Sequence, residues 1–167
     1  MWVAKPALTD AIQDYLREIY KLGAEGGRVS VTALARRLGV SPASASAMVK
    51  KLAALNLAVH EPYRGIALTT AGEQVAVEVI RHHRLLELYL AETLGVDVDH
   101  VHDEAERLEH VLSEELESRI DKALGFPTHD PHGDPIPDAN LKWPRASSIT
   151  SGDRRTSVPE ASTARRA

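Results

Sequence analysis

The sequence predicts a mainly α fold in two modules, and three observations carry that prediction. Apolar residues recur at helical spacing, and glycine and proline cut the pattern into short helices near the start and longer ones later. One stretch, Leu57 to Thr69, alternates instead and reads as a β-hairpin. The charge is also divided. Residues 1–75 carry nine Lys/Arg against six Asp/Glu and residues 76–140 carry five against sixteen, although the whole chain sums to only −4. A basic front half suits a polyanion, and an acidic middle holding seven of the eight histidines suits cations. We therefore expect one module over 1–73, a second over 74–140 and a polar segment over 141–167.

In the first module, Ile12, Tyr15, Leu16, Ile19 and Tyr20 define a helix from Thr9 to Leu22, capped by Thr9 or Asp10 and ended by Gly23, Gly26 and Gly27. Val29 to Thr32 leads into a short helix, Ala33–Leu38, which Gly39 stops. Ser41 then caps a helix over Ala43–Leu55, with Pro42 at the first position, where its missing N–H costs nothing. Two short helices around a glycine turn are a helix-turn-helix. Val31, Leu34, Ala35, Leu38, Val40, Ala45, Met48, Val49 and Leu52 supply its core.

Ser41, Pro42, Ala43, Ser44, Ser46 and Ala47 make the exposed start of the second of these helices small and polar, and Lys50 and Lys51 end it. Such a face fits a major groove, with the lysines meeting phosphates. The hairpin that follows is a wing, with Tyr63 and Arg64 at its tip for further backbone contacts. A three-helix bundle that merely packs is the plainer alternative, and the wing argues against it.

The second module opens with a long helix, capped by Thr70 and reaching Glu92 or Thr93, with Val75, Val79, Leu86, Leu90 and Leu94 on its apolar positions. It carries His83 and Glu87, four apart. A further helix from Asp99 or His100 to Leu124 carries His102 and Glu106, four apart, and Glu106, Glu109 and His110 at i, i+3, i+4. Imidazole with carboxylate is a ligand set for a divalent transition metal. Solvated polar faces are the alternative, and two such sets place metal binding ahead. The stripe Val101, Ala105, Leu108, Val111 or Leu112, Leu116 and Ile120 is too wide for the remaining chain to cover, so a homodimer is expected. Thr128 to Asp138, with three prolines, closes the module, and residues 141–167 are expected to be disordered.

Composition narrows the function. There is no cysteine, hence neither disulfide nor thiolate zinc site. No apolar run approaches the roughly 20 residues that span a bilayer. Lys5-Pro6 and Asp10 interrupt any signal-peptide core, so a cytoplasmic protein without membrane partners is expected. No nucleophile or general base stands apart from the histidine clusters, which points to a binding protein rather than an enzyme.

Over Leu8 to Asp138 the chain resembles the diphtheria-toxin-repressor family of iron- and manganese-dependent transcriptional regulators. The strings that carry the resemblance are Asp14-Tyr-Leu-Arg-x-Ile-Tyr, His83-Arg-Leu-Leu-Glu, Val101-His-Asp-Glu-Ala-Glu-Arg-Leu-Glu-His and Asp134-Pro-Ile-Pro. The resemblance implies a homodimeric repressor that binds palindromic operator DNA when loaded with metal. It implies one site at Asp14, Glu106, Glu109 and His110, and a second at His83, Glu87 and His102.

Iron-type members place a methionine and a cysteine where this chain has Asp14 and Glu106. Hard oxygen donors fit Mn²⁺ better, with Fe²⁺ as the alternative. Many members continue into an SH3-like third domain that completes the second site. Here the chain turns polar after Leu141, so no such domain is expected and water or a neighbouring residue would complete the site. Arg17 stands where some manganese-type members have a glutamate. Ala47 stands where base-reading members carry a longer polar side chain, which shifts weight to shape readout.

Overall fold

The computed structural model describes residues 8–145. Six helices and one two-stranded sheet follow in order. Helix α1 (Asp10–Gly26) begins where the Thr9 hydroxyl accepts from the Ile12 N–H, and it runs through Gly23 to end at Gly27. Helix α2 (Val31–Leu38) is capped by Ser30 and stopped by Gly39, whose φ of 65° is left-handed backbone that glycine adopts without strain. Helix α3 (Pro42–Ala54) has Ser41 as its cap and Pro42 at its first position, as expected.

Strands β1 (Ala58–Glu61) and β2 (Gly65–Leu68) pair antiparallel, Ala58 opposite Leu68 and Glu61 opposite Gly65. Val29, expected only as a lead-in to the next helix, also pairs with Ile66, joining the α1–α2 loop to the wing. Ile12, Leu16, Ile19, Leu34, Ala45, Val49, Leu52 and Ile66 form the core beneath these elements. Of the residues expected there, Val40 stays exposed, because it lies in the turn beyond Gly39.

Helix α4 (Thr70–Glu92) is the link between the two ends of the structure. Its cap is Thr69, one residue before the expected Thr70, and the Thr69 hydroxyl accepts from the Gly72 N–H. Val75 and Ala76 belong to the first core, whereas Leu85, Leu86, Leu88 and Leu90 pack into a second with Val101, Ala105, Ile120 and Ile136.

The single helix expected from Asp99 or His100 to Leu124 is in fact two, α5 (Val98–Leu108) and α6 (Glu114–Ala123). Ser113 starts a new helix by accepting from the Leu116 N–H, and Glu114, Glu115 and Glu117 in its first turn suit the positive helix N-terminus. The break also splits the expected stripe. Val101, Ala105 and Ile120 are buried, but Leu108, Val111 and Leu116 are 39%, 75% and 50% exposed.

Arg81, 2% exposed, ties α4 to α6 and to the closing segment through Glu117, Asp121 (2.8 Å) and the Pro137 carbonyl (2.7 Å). Residues 141–145, the start of the segment expected to be disordered, are held in place. The Trp143 indole donates to the Tyr20 hydroxyl at 2.9 Å and stacks on that ring, with Arg84 over its face. The rest of that segment, 146–167, lies outside the described residues. Among the described residues, no helix is long and apolar enough to cross a membrane.

Candidate metal centre

Asp14 projects from α1 toward the turn that follows α5, where Glu109 and His110 sit. Asp14 Oδ1 lies 3.0 Å from His110 Nε2, and Glu109 Oε1 lies 3.4 Å from the same nitrogen. These three residues each offer a donor atom within 4.8 Å of the others. The other imidazole nitrogen, Nδ1, donates to Gln13 Oε1 at 3.0 Å, and the Gln13 amide donates in turn to the Leu8 carbonyl. That contact orients the ring and turns Nε2 toward the two carboxylates, where it is the imidazole atom a metal would take. Burial pushes the Asp14 pKa up, against the pull of Arg17 and His110. Gln13 was not legible as part of a site, because its partner is distant in the chain.

Glu106, grouped with these residues in the sequence reading, lies outside the trio. Its half-exposed carboxylate faces His102 (3.5 Å) and Arg17 (3.8 Å). Arg17 also reaches Asp14 at 3.5 Å and pairs with Glu109.

The second group forms where α4 meets α5. His83, Glu87 and His102 bring a donor each within 4.8 Å. The Glu87 Oε1 oxygen lies 3.0 Å from His83 Nε2 and 3.1 Å from His102 Nδ1, and those two nitrogens are 3.0 Å apart. His83 Nδ1 faces Glu109 Oε2 at 2.5 Å. Glu109, only 1% exposed, thus turns one oxygen to each group. Burial would lower the His83 pKa, but its bonds to Glu109 and Glu87 outweigh burial and raise it to about 9. For Glu87, burial is likewise outweighed by His83 and His102, which hold the carboxyl well below its usual range.

The closing segment adds two donors absent from the sequence reading. Asp130 and His132 share a third cluster with Glu87, His132 Nδ1 lying 3.6 Å from Glu87 Oε2. Their signal was present as an acid and an imidazole two residues apart in the histidine-rich stretch, but only folding shows that this loop returns to α4. Oxygen and imidazole donors converging around buried carboxylates fit a divalent first-row cation, so the residues present suit the group that the sequence implied.

In the helix-turn-helix, the cap Ser41 and Pro42, Ala43, Ser44, Ala47, Lys50 and Lys51 of α3 are exposed, and Ser46 is half-buried. Ser41 and Ser44 hydrogen-bond to each other at 2.9 Å. Tyr63 and Arg64 are exposed at the wing tip, where Arg64 pairs with Glu61.

Comparison with known proteins agrees with this layout. Residues 7–66 match the family model described as iron dependent repressor, N-terminal DNA binding domain, and residues 69–138 match iron dependent repressor, metal binding and dimerisation domain. The chain is 37% identical over 157 residues to the iron-dependent repressor IdeR of Mycobacterium leprae, covering 87% of this chain and 68% of that protein. The chain belongs to the iron-dependent repressor family.

Within this family the chain is 39% identical over 130 residues to the diphtheria toxin repressor of Corynebacterium diphtheriae, covering 78% of this chain and 58% of that protein. A solved structure described as a manganese-dependent transcriptional repressor in complex with manganese superposes with a TM-score of 0.73 at 45% identity, over 81% of this chain and 63% of that one. The chain therefore spans about three-fifths of the length of these two relatives. Its fold, mainly helical with a small wing, is that of the family's two matched domains.

Proposed function

We propose that this chain is a homodimeric, metal-dependent transcriptional repressor that binds palindromic operator DNA when loaded with Mn²⁺. The observation that carries the reading is the trio Asp14, Glu109 and His110, because it draws one donor from the helix that packs under the helix-turn-helix and two from the turn after α5. A bound divalent cation supplies positive charge that satisfies all three donors at once. Asp14 then couples α1 to α5, and Gln13 holds His110 in register. Glu106 is a further carboxylate beside this set. His83, Glu87 and His102 would hold a second ion, with Asp130 and His132 as the neighbouring residues that complete it.

DNA is met by the small, exposed face of α3 (Ser41 to Ala47, with Ser46 partly buried), by Lys50 and Lys51, and by Tyr63 and Arg64 on the wing. A second copy of the chain is the natural cover for Leu108, Val111 and Leu116. The preference for Mn²⁺ over Fe²⁺ rests on the hard oxygen donors Asp14 and Glu106, which stand where iron-type members carry sulfur ligands. The related manganese-dependent repressor supports the same preference.

The test is binding of the purified chain to DNA from upstream of its own gene, at fixed salt, with Mn²⁺, with anaerobic Fe²⁺ and with chelator. Specific binding that appears with metal and disappears with chelator is expected, and stronger binding with Mn²⁺ than with Fe²⁺ at equal free concentration. Equal binding in all three conditions would leave a metal-independent winged-helix regulator, and a preference for Fe²⁺ would leave an iron sensor of the same family.

A further inference from the structure

Arg17 lies at the centre of the charged residues between α1 and α5, and it is almost wholly buried. Its guanidinium pairs with Glu109 Oε1 and lies 3.5 Å from Asp14 Oδ1 and 3.8 Å from Glu106 Oε1. Asp14 Oδ1 and Glu109 Oε1 are also the two oxygens that converge on His110 Nε2, at 3.0 and 3.4 Å. The guanidinium of Arg17 and the Nε2 atom of His110 therefore face the same pair of carboxylate oxygens.

We propose that Arg17 is a tethered cation that competes with the divalent ion for Asp14 and Glu109, and that it sets the free-ion concentration at which this site fills. The proposal rests on the metal-sensor reading above and adds a regulatory residue to it. An arginine suits the task because it stays charged at any physiological pH, so the threshold it imposes does not drift with proton concentration.

A competitor must also have somewhere to go. Arg17 Nε is 3.2 Å from Glu18 Oε1, and the other Glu18 oxygen accepts from Arg37 of α2 at 2.9 Å. A guanidinium that withdraws from Glu109 keeps Glu18 as its partner. Glu109, Arg17, Glu18 and Arg37 thus form a continuous chain of ion pairs from the metal donors to the helix-turn-helix. The occupancy of the site and the pairing of Arg37 are linked through one side chain.

The experiment is titration of the full chain with Mn²⁺ by isothermal calorimetry at fixed pH and ionic strength, for the wild type, Arg17→Gln, Arg17→Lys and Glu18→Gln. Circular dichroism establishes that each variant is folded. Arg17→Gln is expected to tighten Mn²⁺ binding at one site by about tenfold or more, since a buried competing charge has been removed. Its thermal midpoint is expected to fall without metal and to rise further than the wild type's on adding Mn²⁺. Arg17→Lys, which keeps the charge and loses the planar fork, should tighten binding by less. Glu18→Gln removes the alternative partner and should weaken binding several-fold.

Unchanged or weaker Mn²⁺ affinity in folded Arg17→Gln would overturn the proposal while leaving the sensor reading intact. If that variant does not fold, Arg17→Lys and Glu18→Gln decide, and identical affinities in both would overturn it. A wild-type chain that binds no Mn²⁺ would overturn the sensor reading and this proposal together.

Discussion

Replacing Gly72 by alanine sets two effects of opposite sign against each other. Gly72 lies in the first turn of α4, and glycine inside a helix costs up to about 1 kcal/mol relative to alanine, so propensity alone predicts stabilisation. A Cβ built at this position would stand 2.0 Å from the Leu57 carbonyl oxygen and 3.0 Å from its carbon. Both are backbone atoms, so no side chain can swing aside and the two segments must separate by more than about 1 Å to restore contact distance. That movement also strains the Thr69 N–H bond to the same oxygen and the Thr69 hydroxyl bond to the Asn56 carbonyl. Overpacking of this kind costs about 1–3 kcal/mol, and each weakened hydrogen bond adds about 1 kcal/mol. The net expectation is a loss of about 2–4 kcal/mol. Urea unfolding followed by far-ultraviolet circular dichroism, at one fixed protein concentration, measures it as a lower midpoint at unchanged slope. A Gly72→Ala protein more stable than the wild type would show that α4 is not seated against Leu57.

Three other perturbations separate folding from function. Asp14→Ala should cost under about 1 kcal/mol of folding stability, because the carboxylate is 36% exposed, yet weaken metal-dependent DNA binding at least tenfold, about 1.4 kcal/mol; an unchanged metal-activation curve would refute the assignment. His132→Ala should lower the number of tightly bound Mn²⁺ ions per chain while moving stability by less than about 0.5 kcal/mol, and calorimetry that finds the same stoichiometry would exclude His132 as a donor. Glu117→Gln should destabilise the protein by about 2 kcal/mol at pH 7, since it weakens one of the two carboxylate pairs of buried Arg81 and removes the charge partner of His82. Burial raises the Glu117 pKa, but His82 and Arg81 outweigh it and hold the carboxyl below its ordinary 4.5. A depressed carboxyl stabilises above its unfolded value and loses that contribution as pH falls through the lower folded one. The gap between wild type and variant should therefore be full at neutral pH and shrink below about 4.5, whereas a constant gap down to pH 3 would contradict the pairing.

What the sequence disclosed, and what it concealed, divides along chain separation. Caps act within a turn, so Gly39, Ser41 and Pro42 marked the turn of the helix-turn-helix, and the hairpin with its tip at Tyr63 and Arg64 was equally plain, although α2 begins at Val31 behind the Ser30 cap, two residues before the expected Ala33. The break before Ser113 was also local, but the apolar stripe crossed it and outweighed a cap followed by three acids in the first turn. The contacts that shape the candidate site are of another kind. Gln13 meets His110 across 97 positions and Tyr20 meets Trp143 across 123, separations at which no periodicity carries information. Asp130 and His132 belong to this class too, since a proline-rich loop gives no sign of which helix it will return to. Glu106 is the converse case: it shares a helical face with Glu109 and His110 in sequence, yet its half-exposed carboxylate faces His102 and Arg17 instead of converging with the trio.

The continuity of α4 gives the molecule a mechanical property. At 1.5 Å per residue, its 23 residues make a stiff beam about 35 Å long, embedded in one core at its start and in the other from Leu85 onward. Such a beam magnifies angle into distance. A tilt of about 5° at His83 and Glu87, about 20–25 Å along the helix from Thr70, carries the wing end through about 2 Å, close to the H···O length of a hydrogen bond. Adjustments near His83 and Glu87 too small to disturb any packed side chain would thus arrive at the wing as the difference between touching a phosphate and missing it.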